Sequence, residues 1–161
     1  MYSYKFDKFD DNNSITGKVG RARLEGIDAS FKDLIEVCAN INGLKTLDAI
    51  LFLDSTVVGD TPIFYRKYTS KLAHRKELRG RQGRYPKKAA KFVLATLKSA
   101  IASAMNKGLG EDLIIIHAAA NKKNVFPRVS PNSGRIRRRS YYETARVEII
   151  VTPCDEIKLN K

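Results

Sequence analysis

The residues best equipped for chemistry in this sequence are its lysines and arginines, and the chemistry that suits them is the binding of phosphate. Lysine supplies a compact positive charge, and arginine adds a planar fork that binds two oxygens and stacks on bases. The chain of 161 residues holds 30 Lys and Arg against 17 Asp and Glu, a net charge of +13. A polyanionic partner, either nucleic acid or an anionic membrane, is therefore the first expectation.

These charges are concentrated in two segments. Residues 61–91 hold eleven basic residues and one acid, and residues 122–139 hold seven basic residues and no acid. The other 112 residues carry 12 basic and 16 acidic side chains, a net charge of −4. The cationic positions of the two segments are Arg66, Lys67, Lys71, Arg75, Lys76, Arg79, Arg81, Arg84, Lys87, Lys88, Lys91, Lys122, Lys123, Arg128, Arg135, Arg137, Arg138 and Arg139.

A single basic stretch is as often a solvated surface as a binding site, but two stretches so poor in acid favour a polyanion. Mutual repulsion would keep both segments extended in isolation, so we expect the first, a loop over about residues 60–85, to become ordered on binding. Its arginines are mixed with Tyr65, Tyr68 and Tyr85, which suits irregular, partly single-stranded RNA. Arg21 and Arg23 either extend this surface or are solvated strand residues.

Catalytic groups are scarce by comparison. His74 lies in the basic loop, His117 lies in an apolar strand, and Cys38 falls on the apolar face of a helix. The sequence has no nucleotide-binding or hydrolase motif, and two histidines with two separated cysteines, Cys38 and Cys154, make no zinc site. We therefore expect no enzyme, no metal and no cofactor.

The cysteine count and the apolar pattern bear on the compartment. Two cysteines 116 residues apart suit a reducing compartment rather than a disulfide-rich secreted scaffold. No run of 18 apolar residues occurs, and the N-terminal residues MYSYKFDKFDDNNS are polar and acidic. The sequence predicts a cytoplasmic protein with no membrane partner.

Three helices and three strands are predicted to position the basic segments. Apolar residues at helical spacing predict a helix from the cap Ser30 to Gly43, a second helix capped by Thr46, and a longest helix from Pro86 to Gly108. Strand patterns cover residues 18–24, 113–120 and 145–151.

Length predicts how the last two strands are used. If residues 112–152 form one antiparallel hairpin that turns near residues 130–134, each arm has about twenty residues, or roughly 65 Å. A body of about 120 residues is only about 35 Å across. The outer half of the hairpin, residues 121–143, should therefore project by about 30 Å with its cationic side chains.

Several short motifs follow one another in a specific order and spacing. They are Ser30-Phe31-Lys32 with Glu36 and Cys38, Ala49-Ile50 with Leu53, Gly83-Arg84-Tyr85-Pro86-Lys87-Lys88-Ala89-Ala90-Lys91, Lys107-Gly108-Leu109, Ile116-His117-Ala118, Pro131 with Gly134-Arg135, and Glu143-Thr144 before Val147-Glu148. Over roughly residues 18–152 the chain closely resembles the family of the universal large-subunit ribosomal protein twenty-two, in its archaeal and eukaryotic form, known in eukaryotes as protein seventeen.

The resemblance implies a fold. It is an α+β fold, with three helices packed on a small three-stranded antiparallel sheet and one long projecting β-hairpin. Residues 18–152 would form the single domain, preceded by an N-terminal segment, residues 1–17, and followed by a tail, residues 153–161.

The resemblance also implies a function. The protein would be a structural constituent of the large ribosomal subunit that binds 23S-type rRNA through the eighteen cationic residues above and tethers distant rRNA segments during assembly. Its partners would be rRNA, neighbouring large-subunit proteins and, transiently, the nascent peptide, with no small-molecule substrate. The hairpin tip would help form the wall of the peptide exit tunnel, through Arg128, Ser130, Pro131, Asn132, Ser133, Gly134 and Arg135.

The chain departs from the family pattern at four positions. Asn132 stands where the family usually has Arg, Arg146 stands where the family often has His, and Ser99 and Ser103 stand where Asn is common. Two other classes of function stay open on the sequence. A free-standing RNA chaperone or regulatory module would be found outside particles, and a nucleic-acid enzyme would lose its activity on a single substitution such as His74→Ala or His117→Ala.

Overall fold

The computed structural model describes residues 19–130 and 138–154, with the side chains of residues 130, 138 and 139 left out of account. It confirms the predicted α+β fold, with three helices and a three-stranded antiparallel sheet. A second sheet of two short strands was not predicted. The elements in chain order are β1 (Gly20–Ile27), α1 (Phe31–Ile41), α2 (Thr46–Val58), β2 (Ile63–Phe64), β3 (Gly83–Arg84), α3 (Lys87–Met105), β4 (Leu113–Ser130) and β5 (Arg138–Pro153).

The main sheet has the order β1-β5-β4, so the last strand lies at its centre. Ala22 pairs with Ile149 and Leu24 with Val147, and directly paired residues point to the same face. These side chains form one hydrophobic core with the apolar faces of the three helices. Gly20 lies on the same face, where an added Cβ would come 2.5 Å from the backbone oxygen of Ala100, so α3 packs directly on β1.

The helix boundaries follow local signals with one exception. The Asp33 N–H donates to the Ser30 hydroxyl at 3.5 Å and begins α1, and Gly43 has the positive φ of +84° that ends it. The prediction that Thr46 caps α2 is wrong. Lys45 holds the cap position without a side-chain hydrogen bond, while Thr46 is already helical and buried. Pro86, predicted within the first turn of α3, occupies the N-cap position one residue before the helix begins.

The long hairpin is confirmed. β4 and β5 pair from Leu113 with Pro153 to Ser130 with Arg138, through 18 and 16 residues respectively. The two extra residues of β4 fall at bulges between Ile115 and His117 and between Lys122 and Asn124. Every β4 side chain over residues 122–129 is exposed, whereas β5 is buried over residues 147–152. The outer half of the hairpin therefore lies outside the core.

Candidate nucleic-acid interface

The basic loop, residues 60–85, is organised around a buried carboxylate of α1. Glu36 is only 1% exposed, and its Oε1 accepts hydrogen bonds from the backbone N–H groups of Lys67 at 2.8 Å and Tyr68 at 2.9 Å. Its Oε2 accepts a third, from the N–H of Arg66 at 2.9 Å. A carboxylate has the acceptor capacity for all three donors, so its burial is compensated.

The two ends of the loop are also joined to each other. Ile63 pairs with Arg84 and Phe64 with Gly83, which forms the small β2-β3 sheet. The Asn40 side chain donates to the Phe64 carbonyl at 2.8 Å and ties this sheet to α1. The expectation that the loop is extended until RNA binds is wrong, because partners far away in the sequence supply the contacts that its own residues lack.

Inside the loop, Arg75 has a structural role. Its Nε donates to the Gly83 carbonyl at 3.1 Å, and its guanidinium lies 5.2 Å from the centre of the Tyr85 ring. The side chain is half-buried, in contrast to the exposed lysines around it. Of the predicted cationic residues of the loop, Arg75 is thus the one that holds the loop together while presenting only part of its charge.

Two exposed arginines of the loop lie beside the same aromatic ring. The guanidinium groups of Arg66 and Arg81 lie 5.7 and 5.4 Å from the centre of the same ring, Phe64, within cation–π range. The loop's other predicted cations are exposed as well: Lys67, Lys71, Lys76, Arg79 and Arg84. Positive charge held on an apolar platform suits the sugar–phosphate backbone and bases of an unpaired RNA strand.

A cationic cavity that was not predicted from the sequence lies between the loop and the start of α1. It has a volume of about 270 Å³, and Lys32, Lys67 and Arg84 line it together with Tyr68. The ammonium groups of Lys32 and Lys67 lie 5.5 and 5.8 Å from the centre of the Tyr68 ring. Lys32 had one available signal, since a lysine in the first turn opposes the helix dipole and is unusual there.

The lysines at the start of α3 have partners within the chain. The Lys87 Nζ donates to the Val58 carbonyl at 2.6 Å, at the end of α2. Lys88 forms an exposed ion pair with Asp28 at 2.9 Å, and this hydrogen bond lowers the pKa of Asp28. Lys91 is exposed one turn further along the helix. The predicted cluster is therefore present, but part of its charge is already compensated.

The positive charges at the base of the hairpin are also compensated by carboxylates of the chain itself. Lys122 pairs with Glu143 at 2.6 Å, and its ammonium group also lies 4.4 Å from the centre of the Phe31 ring. Lys123 pairs with Glu25, and this hydrogen bond lowers the pKa of the carboxyl group. Both carboxylates lie outside the acid-free segment, so its isolation from negative charge was overestimated from the sequence.

Further out along the hairpin, an aromatic residue of β5, Tyr142, contacts a cationic residue of β4. The guanidinium of Arg128 lies 4.6 Å from the centre of the Tyr142 ring, and Phe126 stacks on the same ring at 6.2 Å. A hydrogen bond to Asp28 raises the pKa of Tyr142. Arg128 is thereby presented on an aromatic pair at the exposed part of β4.

The predicted tip lies beyond these contacts. Ser130, Arg138 and Arg139 belong to the paired strands, Ser130 opposite Arg138. The remaining residues predicted for the tip and its return arm lie outside the described residues: Pro131, Asn132, Ser133, Gly134, Arg135 and Arg137.

The groups considered for catalysis have structural surroundings. The Nδ1 of His74 donates to the Gly80 carbonyl at 2.6 Å. Burial lowers the pKa of His117, with an opposing effect from Glu148. Burial raises the pKa of the Cys38 thiol to about 12, which removes the thiolate that a nucleophile needs. Within residues 19–130 and 138–154, no three His, Cys, Asp or Glu side chains form a group that could hold a metal ion.

None of the helices in the described part of the chain is long and apolar enough to cross a membrane.

The chain is similar to known ribosomal proteins over most of its length. The family model described as "Ribosomal protein L22p/L17e" matches residues 22–152. Among similar curated proteins are three archaeal ones, each named large ribosomal subunit protein uL22. That of Sulfurisphaera tokodaii is 32% identical over 156 residues, which cover 94% of this chain and 98% of the relative. Those of Methanocaldococcus jannaschii and Archaeoglobus fulgidus are 37% and 39% identical, over 83% and 75% of this chain and 87% and 79% of the relatives. The chain therefore belongs to the ribosomal protein L22p/L17e family.

Proposed function

We propose that this protein is a structural, non-enzymatic constituent of the large ribosomal subunit in the cytoplasm, and that its basic loop and hairpin bind rRNA there. The observation that carries the proposal is the rigid attachment of the basic loop, through Glu36, to a body with its own hydrophobic core. A positively charged surface that is ordered in advance loses less conformational entropy when it binds RNA. The names of the archaeal relatives support the same particle and neighbouring ribosomal proteins as partners.

The hairpin suggests a second part of the role. A two-stranded ribbon with exposed side chains over residues 122–129 buries little apolar surface of its own and is stabilised by a surface on which to lie. We propose that it runs between rRNA segments distant in sequence and tethers them during assembly. Its tip, including Arg128, Pro131 and Arg135, would then contribute to the wall of the peptide exit tunnel and contact nascent peptides.

Co-sedimentation tests the particle assignment. The tagged full-length chain, expressed in an archaeal host, should remain with the large subunit in high-salt sucrose gradients. A protein recovered mainly outside particles would contradict the proposal and favour a free-standing RNA chaperone.

A hairpin variant tests the role of the tip. Replacing Arg135, Arg137, Arg138 and Arg139 by alanine should reduce incorporation into the large subunit while the isolated variant keeps the wild-type melting temperature. Removing Lys45 and Lys98, exposed lysines of the body, is the control and should leave incorporation unchanged. Normal incorporation of the tip variant would contradict the tethering role.

A further inference from the structure

The main sheet has a second face, turned away from the helices. The three helices share one core with the Ala22, Val147 and Ile149 face, and side chains alternate between faces along a strand. We call the opposite surface the outer face. It is formed by Val19 just before β1, by Arg21, Arg23 and Glu25 of β1, by His117, Ala119 and Asn121 of β4, and by Arg146, Glu148, Ile150 and Thr152 of β5.

The outer face is buried although the helices lie on the other side. Glu148 and Ile150 of the central strand are both 0% exposed, Val19 is also 0% exposed, and Thr152 is 2% exposed. Ile150 is not a member of the core that the helices cover. A sheet face exposed to water would carry accessible polar side chains, so this degree of burial requires a second covering layer.

The charges of the outer face define what that layer must contain. The three arginines are half-buried. Arg23 lies 2.5 Å from Glu25, and the Arg146 Nε lies 3.5 Å from the Glu148 carboxylate, which is itself inaccessible. The face therefore combines an excess of positive charge with a fully buried isoleucine. A complementary cover brings apolar or aromatic side chains together with carboxylates.

The N-terminal segment has this composition and the right attachment. Residues 1–17 contain four aromatic side chains, and Tyr2, Tyr4 and Phe6 alternate with polar residues as in a strand with one buried side. Three aspartates follow within the same segment, at positions 7, 10 and 11. The segment ends two residues before Val19, which itself points into the outer face.

The other parts of the chain outside the described residues are less suited to cover the outer face. Residues 131–137 lie at the far end of the hairpin, and residues 155–161 offer one isoleucine and one leucine as their apolar side chains. Seventeen extended residues span roughly 55 Å, whereas three strands are only about 10–15 Å across. Residues 1–17 are therefore long enough to cross the whole outer face.

We propose that residues 1–17 fold back over the outer face of the sheet, with their aromatic side chains on Ile150 and their aspartates beside the arginines. Arg21 and Arg23 then hold the N-terminus of their own chain. On this proposal Arg21 and Arg23 follow neither of the two alternatives that the sequence left open, because they neither extend the RNA-binding surface nor stand free in water. The proposal does not depend on the ribosomal role.

Photo-crosslinking in the isolated full-length protein tests the placement directly. A benzoylphenylalanine at Phe6 should crosslink to tryptic peptides from β1 or from residues 146–153, identified by mass spectrometry. The same group at Leu47, an exposed position on α2, is the control and should give no such peptides. Crosslinks from Phe6 confined to other parts of the chain, or only between molecules, would overturn the proposal.

Accessibility of Ile150 gives a second, independent readout. In the Ile150→Cys variant, maleimide labelling of residue 150 should be at least about tenfold faster after deletion of residues 1–17. Deletion of residues 155–161 is the matched control and should leave labelling slow. A synthetic peptide of residues 1–17 should restore protection to the deleted protein.

Equal labelling with and without residues 1–17, or exposure caused only by the C-terminal deletion, would overturn the proposal. If the protein without residues 1–17 does not fold, the crosslinking from Phe6 in the full chain decides the question by itself.

Discussion

Glu36 shows how much a single side chain can decide in this protein. It lies on α1, yet its three hydrogen bonds go to three consecutive amides about 30 residues later in the chain. Hydrogen bonds to a charged acceptor are stronger than neutral ones, and the amides that lose such an acceptor inside a protein stay unsatisfied. Glu36 therefore attaches the basic loop to helix α1 of the body.

The first prediction is that Glu36→Ala destabilises the chain and loosens the loop. We expect a loss of about 3 kcal/mol in the free energy of unfolding, measured by urea denaturation, because three partly buried donors lose their acceptor. Limited proteolysis should then cleave within residues 60–85. Glu77→Ala, which removes an exposed acid of the same loop, is the control and should change stability by less than about 0.5 kcal/mol. Equal effects of the two substitutions would contradict the role of Glu36.

The second prediction concerns His117 and acidity. Because burial lowers the pKa of His117 in the folded state, the unfolded chain binds a proton more readily. The stability that neutral His117 contributes is therefore present above the unfolded pKa, near 6.5, and is lost as the pH falls below it. The melting temperature should fall between about pH 7.5 and 5.5.

His117→Asn tests this prediction, since it removes the titrating ring. The melting temperature of the variant should change less between these pH values than that of the wild type. His74→Asn, which removes the other histidine of the sequence, is the control for the loss of an imidazole ring as such. A pH dependence that survives the substitution at His117 would assign it to another group.

At the scale of elements, sequence reasoning succeeded where the signal is local. The 3.6-residue periodicity of α1 and α3 and the length of the hairpin arms were sufficient to predict those elements. Sequence reasoning failed where the residues that order a segment lie far from it in the sequence. The basic loop has no apolar pattern of its own, and its order comes from Glu36 and Asn40, side chains on a helix that precedes it. The first bulge of β4, between Ile115 and His117, could likewise not be predicted, because the apolar run around it has no change of pattern that would mark an extra residue.

The third prediction is that the hairpin can be shortened without unfolding the body. Removing residues 127–141 and joining Phe126 to Tyr142 through Asn-Gly should shift the melting temperature by no more than about 3 °C, because the removed part buries little apolar surface. The contact of Tyr142 with Asp28 is retained. Incorporation into the large subunit should be lost.

Loss of cooperative unfolding in the shortened protein would show that the outer hairpin stabilises the core. The full-length hairpin with its tip arginines replaced by alanine separates the effect of length from that of charge.

For the whole molecule, the charge of +13 is divided more finely than the sequence suggested. At least six of the eighteen cationic candidates already contact oxygen atoms of the chain itself: Arg66, Arg75, Lys87, Lys88, Lys122 and Lys123. Carboxylates from outside the basic segments, such as Glu25 and Glu143, approach them only in the folded chain. The number of cations in a segment is thus an upper limit on the charge that it offers to RNA.

The fourth prediction follows from that limit. For single-stranded rRNA fragments, the slope of log K against log salt should not exceed about 8 in magnitude, since about twelve cations at roughly 0.7 each remain for phosphate. Arg79→Ala with Arg81→Ala should reduce the slope by about 1.4, measured by fluorescence anisotropy over a range of salt concentrations. Lys45→Ala with Lys98→Ala, an equal loss of charge on the body, should leave it unchanged. A slope near zero would exclude phosphate neutralisation as the source of affinity.

The second bulge of β4, beside Lys123, has a geometric consequence for the hairpin. A bulge adds twist and bend to the ribbon at one place, and here it falls where the ribbon leaves the core. The seven residues from there to Ser130 span roughly 23 Å, so a rotation of about 20° at the bulge displaces the far end by about 8 Å. That displacement exceeds the separation of neighbouring phosphates along an RNA strand. Deleting Lys123 would therefore redirect the outer hairpin by more than that separation, although its sequence keeps every arginine. Under the proposed rRNA-binding role, the backbone geometry of one residue would then select which nucleotides the hairpin can reach.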